Sequence, residues 1–389
     1  MSVYVDNAAS TALAPEALAA MTDAWMRPGN PMSLHEAGRL ARRRLEESRE
    51  TIARCLGARP SEVIFTSGGT ESDNLAIKGI FAARRGADVR RRRVVISAVE
   101  HHAVLDPAQW LADHEGAELV VLPVDEAGRV DPDDLRAELA AHPDEVALIS
   151  VMWANNEVGT VQPIAELSAL ARAAGVPMHS DAVAAAGHVP VDFSAVGLSA
   201  MTVSAHKFGG PQGVGALVIG RDVAAQPLIH GGGHERDLRA GTQNVAAAAG
   251  MAAALRAAID NIQADIDAVT ALSERLRAGL AGIDGTVVNS SPDGLPGLVH
   301  VSFAGCQGDS LLMLLDARGV QCSTGSACTA GVASASHVLL AMGMDRDRAR
   351  GSLRLSLAVD NTAADVDYIL AVLGEVLHRA RAAGLTGVR

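Results

Sequence analysis

Short, wholly apolar runs recur along this chain between stretches of helical periodicity, and that alternation limits the possible folds more than any other feature. Residues 63–66, 94–97, 119–122, 147–152, 177–180, 200–204 and 215–219 read as strands. Continuous apolarity, without an in–out alternation, is the pattern of strands buried on both faces. Between them, residues 38–56 and 164–174 place apolar side chains at helical spacing. Strands alternating with helices predict an α/β protein with a mainly parallel central sheet. A long helical region follows over residues 245–281, with a bend expected at Gly250 and near Asn261. The style then changes to a turn at 294–297, a strand at 299–303, a helix at 311–317, a strand at 353–357 and a closing helix at 365–382. This second part reads as a smaller α+β domain. The expected division is 14–257 for the large domain and 1–13 with 258–389 for the small one.

With 389 residues, of which 49% are hydrophobic and 20% charged, the chain has the balance of a globular protein of two or three domains. Its formal net charge of -12 argues against a general nucleic-acid surface, which would be basic. The run Arg90-Arg91-Arg92-Arg93 cuts slightly the other way and is read as a solvated loop, with a docking patch for an acidic partner as the lesser alternative. No charge-free run of 18 apolar residues occurs and no secretory pattern opens the chain, so a membrane span is not expected and a reducing cytoplasm is. There the cysteines Cys55, Cys306, Cys322 and Cys328 are catalytic or inert, not disulfide-bonded.

Three strand ends carry chemistry. Thr66-Ser67-Gly68-Gly69-Thr70-Glu71-Ser72 follows a strand and opens a helix, whose free N–H groups and dipole favour a phosphate. By itself it is equally a tight turn capped by Thr70. His179-Ser180-Asp181-Ala182 puts a carboxylate after the apolar strand at 177–180, able to pair with a pyridinium nitrogen or merely to cap a helix. Ser204-Ala205-His206-Lys207 puts a lysine among small residues after another, where a dry pocket would suit a Schiff base, although most lysines are simply solvated. Together these are the parts that a pyridoxal-phosphate site requires, at the strand ends where α/β sheets bind ligands.

The stretches 66–74, Glu100-His101-His102-Ala103-Val104-Leu105, Asn155-Asn156-Glu157-Val158-Gly159, His206-Lys207, 230–236 and 323–329 resemble, in order and over nearly the whole chain, the cysteine desulfurases of the NifS/IscS type in the class-V aminotransferases. The resemblance implies the aspartate-aminotransferase-like fold (fold type I) of pyridoxal-phosphate enzymes, working as a homodimer. It implies that Lys207 holds the cofactor covalently, that Asp181 pairs with the ring nitrogen and that His101 stacks on the ring and serves as a proton donor. Gly69, Thr70, Ser204 and His206 would hold the phosphate, joined by Thr242 from the other subunit. Asn156 would lie near the ring oxygen and the substrate, Arg354 would clamp the substrate carboxylate, and Asn30 would assist there.

Cys328 would accept sulfur from L-cysteine as a persulfide, leaving alanine, and a protein acceptor would then remove the sulfur. The small residues around it, Gly325-Ser326-Ala327-Cys328-Thr329-Ala330-Gly331, suit an accessible thiol. Cys55 and Cys306 read as buried hydrophobes, and Cys322 as either. The cysteine spacing matches no zinc finger or ribbon, so no metal is expected. The chain departs from the family at Ala184, where a glutamine usually contacts the ring oxygen, and at Ala358-Val359-Asp360-Asn361 beyond Arg354. It also ends without the tail that housekeeping relatives use to dock an iron–sulfur scaffold, so thiolation of tRNA or DNA stands beside iron–sulfur assembly as a destination. Two alternatives remain: a pyridoxal-phosphate lyase acting on selenocysteine or another β-substituted amino acid, which would not need Cys328, and a weakly active paralogue serving as a partner.

Overall fold

A computed structural model describes residues 2–325 and 335–386. Among these, seven strands form one sheet in the order β2 (Val63–Thr66), β8 (Gly215–Ile219), β7 (Ala200–Ser204), β6 (Met178–Asp181), β5 (Val146–Ser150), β3 (Arg93–Ser97) and β4 (Glu118–Leu122). All pairings are parallel except those of β8 with its two neighbours. Every residue of β2, β3, β5, β6, β7 and β8 is buried. That explains why these strands read as unbroken apolar runs: helices cover both faces. Strand boundaries expected from sequence fall within two residues of those observed.

A second, three-stranded antiparallel sheet orders β12 (Ser352–Ser356), β10 (Leu298–Phe303) and β9 (Thr286–Val288), while β1 (Val3–Tyr4) pairs with β11 (Val320–Gln321). The N-terminal segment thus joins the C-terminal part: Val3 and Val5 pack with Val301, Phe303, Leu353 and Leu355. The helix Val245–Ala281 runs unbroken from one core to the other. Its first part, including Ala248, Met251 and Leu255, packs under the large sheet, and Leu276 and Leu280 pack with the small one. Gly250 is there for closeness: a Cβ would lie 2.6 Å from Met21 Cγ on the helix Pro15–Trp25. The helix is long and apolar enough to cross a bilayer by length and composition alone, which the sequence reading did not foresee. Its buried residues bind the two cores together.

The basic run is a loop over residues 90–92, as expected, and is corrected at Arg93. Arg93 opens β3 and is buried, with ion pairs to Glu118 and Glu138, while Arg90, Arg91 and Arg92 pair with Asp88, Asp144, Glu145 and Glu118. The run holds its own acidic neighbours and is not a free positive patch.

Candidate active site

The C-terminal tips of β2, β6 and β7 converge on a pocket of about 200 Å³, lined by Gly69, Thr70, Asp73, His101, Asn156, Asp181, Ala184, Ser204, His206 and Lys207 among others. Nine residues named from sequence meet there: Gly69, Thr70, His101, Asn156, Asp181, Ser204, His206, Lys207 and the departure Ala184.

The helix after β2 begins at Gly69. Its first amides lack helical partners and face the pocket end, as a phosphate site needs. The turn is shaped by a hydrogen bond of 2.7 Å between Thr66 Oγ1 and Ser72 Oγ, and by Ser67 N donating to Glu71 Oε2 at 2.8 Å. A Cβ at position 69 would press on Val183 Cγ2 at 3.0 Å, so glycine keeps this corner open.

Lys207 follows β7 in a single turn of helix, and its Nζ donates to the carbonyls of Ala8 at 2.6 Å and Ala9 at 3.1 Å. Burial, helped by the Arg354 charge, pushes its pKa down to about 8, against the opposing pull of Asp181 and Asp6. An amine so tuned is neutral often enough near pH 7 to condense with an aldehyde. Asp181 ends β6, is 4% exposed, and accepts from Val183 N at 2.8 Å. Burial raises its pKa, while His101, that backbone bond and Lys207 restrain the rise.

Two more carboxyls lie behind it. Asp73 and Glu100 are each 1% exposed, and Asp73 Oδ1 and Glu100 Oε2 find no hydrogen-bond partner among the described residues. Burial, and then the charge of Asp181, holds the Asp73 pKa well above the usual carboxylate range. Burial pushes Glu100 up to about 8, against hydrogen bonds from Ser97 Oγ and Met152 N. His179, beneath Asp181 on β6, is pushed down to about 3 by burial and sits neutral between Ser150 Oγ at 2.9 Å and Thr202 Oγ1 at 3.0 Å.

His101 caps the helix His102–Glu115, its Nδ1 accepting from Ala103 N at 3.1 Å. That bond fixes the lone pair on Nδ1 and the proton on Nε2. The ring is open to solvent at the pocket mouth. The surrounding protein nonetheless lowers its pKa, with Lys207 and two neighbouring histidines adding to the effect and Asp181 opposing it.

Arg354 stands in the middle of β12, 4% exposed, behind the pocket wall. Its Nη2 donates to Asp6 Oδ1 at 2.7 Å and its Nη1 to the carbonyl of Asn156 at 2.8 Å, while Nε has no partner among the described residues. A carboxylate would have to take the place of one of these bonds. Asn30 and Thr242 are exposed and do not line the pocket of the single chain; Asn30 Oδ1 instead accepts from Met32 N at 2.9 Å. Cys328 lies outside the described residues. Cys322 is buried with its thiol pushed up to about 12, chiefly by burial, and burial also raises Cys306, so neither is a ready nucleophile.

Asp6, Asp73, Glu100 and the Ala8 and Ala9 carbonyls escaped the sequence reading as individual residues. Asp73 and Glu100 at least sit inside motifs that it quoted. Asp6 has no local signal, being 348 residues from the arginine it holds.

The donor set fits a phosphorylated pyridine aldehyde: a softened amine, a buried carboxylate, an imidazole at the mouth, and amide and hydroxyl donors at a helix start. An aminotransferase class-V family model matches residues 3–369. An IscS-like cysteine desulfurase of Mycobacterium tuberculosis is 58% identical over 385 residues, covering 98% of each chain. A solved NifS-like protein superposes with a TM-score of 0.90 at 35% identity, covering 97% of this chain and all of the other. A structure of SspA in complex with cysteine superposes with a TM-score of 0.79 at 30% identity, covering 93% of this chain and all of that one.

Proposed function

The chain belongs to the class-V aminotransferases and is a cysteine desulfurase of that family, and from that premise we propose how its own residues divide the work. The substrate is L-cysteine, the cofactor is pyridoxal phosphate and the sulfur acceptor is Cys328. The observation that carries this reading is Lys207: a partly desolvated amine tuned to about 8, set between Asp181 and Arg354 at the strand tips.

Bound pyridoxal phosphate supplies an electron sink for the bonds at the substrate's Cα. Lys207 would hold it, and the free amine of Lys207 would move the substrate's Cα proton. Gly69, Thr70, Ser204 and His206 bind the phosphate, and Thr242 of a second copy of the chain joins them in the homodimer. Asp181 keeps the ring nitrogen protonated. Glu100 and His179 are neutral and the Asp73 pKa is held well above the usual carboxylate range, which leaves Asp181 as the principal charge on the floor of the pocket. Arg354 receives the substrate carboxylate in exchange for Asp6, and Asn156 borders it; Asn30 has no place in the single chain's pocket and is left to the assembled dimer.

The Cys328 thiolate then attacks the substrate sulfur. An S–S bond forms, the substrate's Cβ–S bond breaks, and its electron pair stays with Cβ, which takes a proton to become the methyl group of alanine. His101, with its proton on Nε2 at the pocket mouth, is placed to deliver it. The cytoplasm suits this thiol chemistry, and a protein acceptor unloads the persulfide. The division into domains 14–257 and 1–13 with 258–389 accords with the two sheets and their cores.

The test is turnover of L-cysteine by the purified protein. Alanine should accumulate in step with acceptor persulfide or sulfide, and Cys328→Ala should abolish it. A Cys328→Ala enzyme that still turns over at the wild-type rate would favour the β-substituted amino-acid lyase instead.

A further inference from the structure

Glu157 has no part in the chemistry above, yet it is 5% exposed and lies on the loop between Asn156 and Val158. The loop is stiff: Asn155 Oδ1 accepts from Glu157 N at 2.8 Å and Val158 N at 2.9 Å, and Asn155 Nδ2 donates to Val99 O at 2.9 Å. Burial raises the Glu157 pKa, against the hydrogen bond from Ser336 and the electrostatic influence of His337, Arg354 and His102.

What sets Glu157 apart is that the chain meets it on both sides of residues 326–334. On the near side, Gly325 has φ +82°, where glycine is favoured, and a Cβ there would lie 3.7 Å from Glu157 Cβ and Cγ and 3.6 Å from Arg354 Cβ. Gly325 N donates to Ser323 Oγ at 3.0 Å, and the backbone of Ser323 is bonded to Arg354 in both directions. On the far side, Ser336 Oγ donates to Glu157 Oε2 at 2.6 Å and caps the helix His337–Ala341 by accepting from Leu339 N. His337 Nε2 donates to the Glu100 carbonyl at 2.9 Å, and Val338 and Leu339 pack on Val99, Met152 and Val158. One buried side chain thus bonds Ser336 on the far side of the stretch that carries Cys328 and lies beside Gly325 on the near side, and its neighbour Asn156 bonds the arginine of the substrate end.

We propose that Glu157 is a positioning residue for the sulfur-transfer half of the reaction, holding Ser336 and seating Gly325, on either side of the Cys328 stretch, relative to Arg354. This rests on Cys328 being the sulfur acceptor. A displacement on sulfur needs the thiol in line with the breaking bond, and misplacement by an ångström can cost about 100-fold. Placing the substrate and forming the cofactor bond do not need the thiol, so the two halves should separate.

The experiment is a single turnover on cofactor-loaded protein, wild type against Glu157→Ala, Glu157→Gln and Ser336→Ala. It follows the cofactor absorbance change on adding L-cysteine and, in parallel, the appearance of one extra sulfur on the Cys328 peptide. In Glu157→Ala and Ser336→Ala the absorbance change should keep its rate and amplitude while persulfide formation slows about tenfold or more, the worth of one charge-assisted hydrogen bond. Glu157→Gln, which retains a carbonyl to accept from Ser336, should recover to within about threefold. Persulfide formation at the wild-type rate in both Glu157→Ala and Ser336→Ala would overturn the proposal, as would equal slowing of both signals. A wild-type Cys328 peptide that gains no sulfur would instead remove the Cys328 assignment, and this inference with it.

Discussion

The two ends of the pocket are built in different ways. At the cofactor end, Gly69, Thr70, Asp181, Ser204, His206 and Lys207 follow strands of one sheet, at the tips of β2, β6 and β7. Their spacing is set by the strand-to-strand distance, and the floor beneath them is made of buried titratable groups. At the substrate end, Arg354 comes from the small sheet, Asp6 from the N-terminal segment and the Asn156 carbonyl from a loop of the large sheet, 348 and 198 residues away. The first end is fixed by one piece of the fold. The second exists only where several pieces meet. On the proposed assignment, chemistry that must not vary is carried by the sheet, and the recognition of a particular substrate by the seam.

Breaking the cofactor end should have the largest effect. Asp181→Asn removes the charge proposed to keep the ring nitrogen protonated, and turnover should fall on the order of 10²–10³-fold, with a changed cofactor spectrum and little change in KM. Unchanged turnover would mean that Asp181 is only the cap its bond to Val183 makes it. Breaking the seam should cost less and act elsewhere. Arg354→Lys keeps a charge but loses the two-pronged grip, so kcat/KM for L-cysteine should drop about 10–100-fold, mostly through KM. The cofactor spectrum before substrate should match the wild type. A spectrum altered as in Asp181→Asn would show that the ends are not separate.

The smallest effect sharpens the contrast through pH. Glu100 is raised from the usual carboxyl range to about 8 in the folded chain. A group whose folded pKa is raised contributes its full stability below its unfolded pKa, near 4.5. That contribution is lost as the pH climbs through the folded value. Glu100→Gln keeps an acceptor for Ser97 Oγ and Met152 N but cannot ionise. Between pH 5.5 and 8.5 its unfolding free energy should fall less than that of the wild type, by on the order of 3 kcal/mol at the alkaline end. Parallel curves would show that the floor does not hold Glu100 as a neutral acid. Arg354→Lys should leave that pH slope untouched.

The same contrast decided what could be read from sequence. The seven apolar runs were legible because burial on both faces leaves no room for alternation, and each site residue at a strand tip lay beside its strand. The order of the sheet, with β8 inserted antiparallel between β2 and β7, left no mark in those runs. The closing helix and the separate strands β10 and β12 were legible for the same local reasons, but their antiparallel pairing was not. Asp6 was not, since nothing near it distinguishes an ion-pair partner from a surface aspartate, and its role arises from β1 pairing with β11. Asp73 and Glu100 were hidden differently: their motifs were seen, but burial beside Asp181 is a property of three elements together. Arg93 illustrates the converse. A run of four arginines looks like a surface, yet the last is a strand residue with two carboxylates waiting for it.

The central claim is that sulfur leaves L-cysteine onto Cys328 at a pocket built around Lys207. Its most direct measurement is the mass of the Cys328 peptide after one turnover without any acceptor or reductant. One added sulfur atom on that peptide, matched by one alanine released and absent from a Lys207→Ala protein, is the expected result. Alanine released with Cys328 unmodified, or sulfur gained on Cys328 without Lys207, would contradict it.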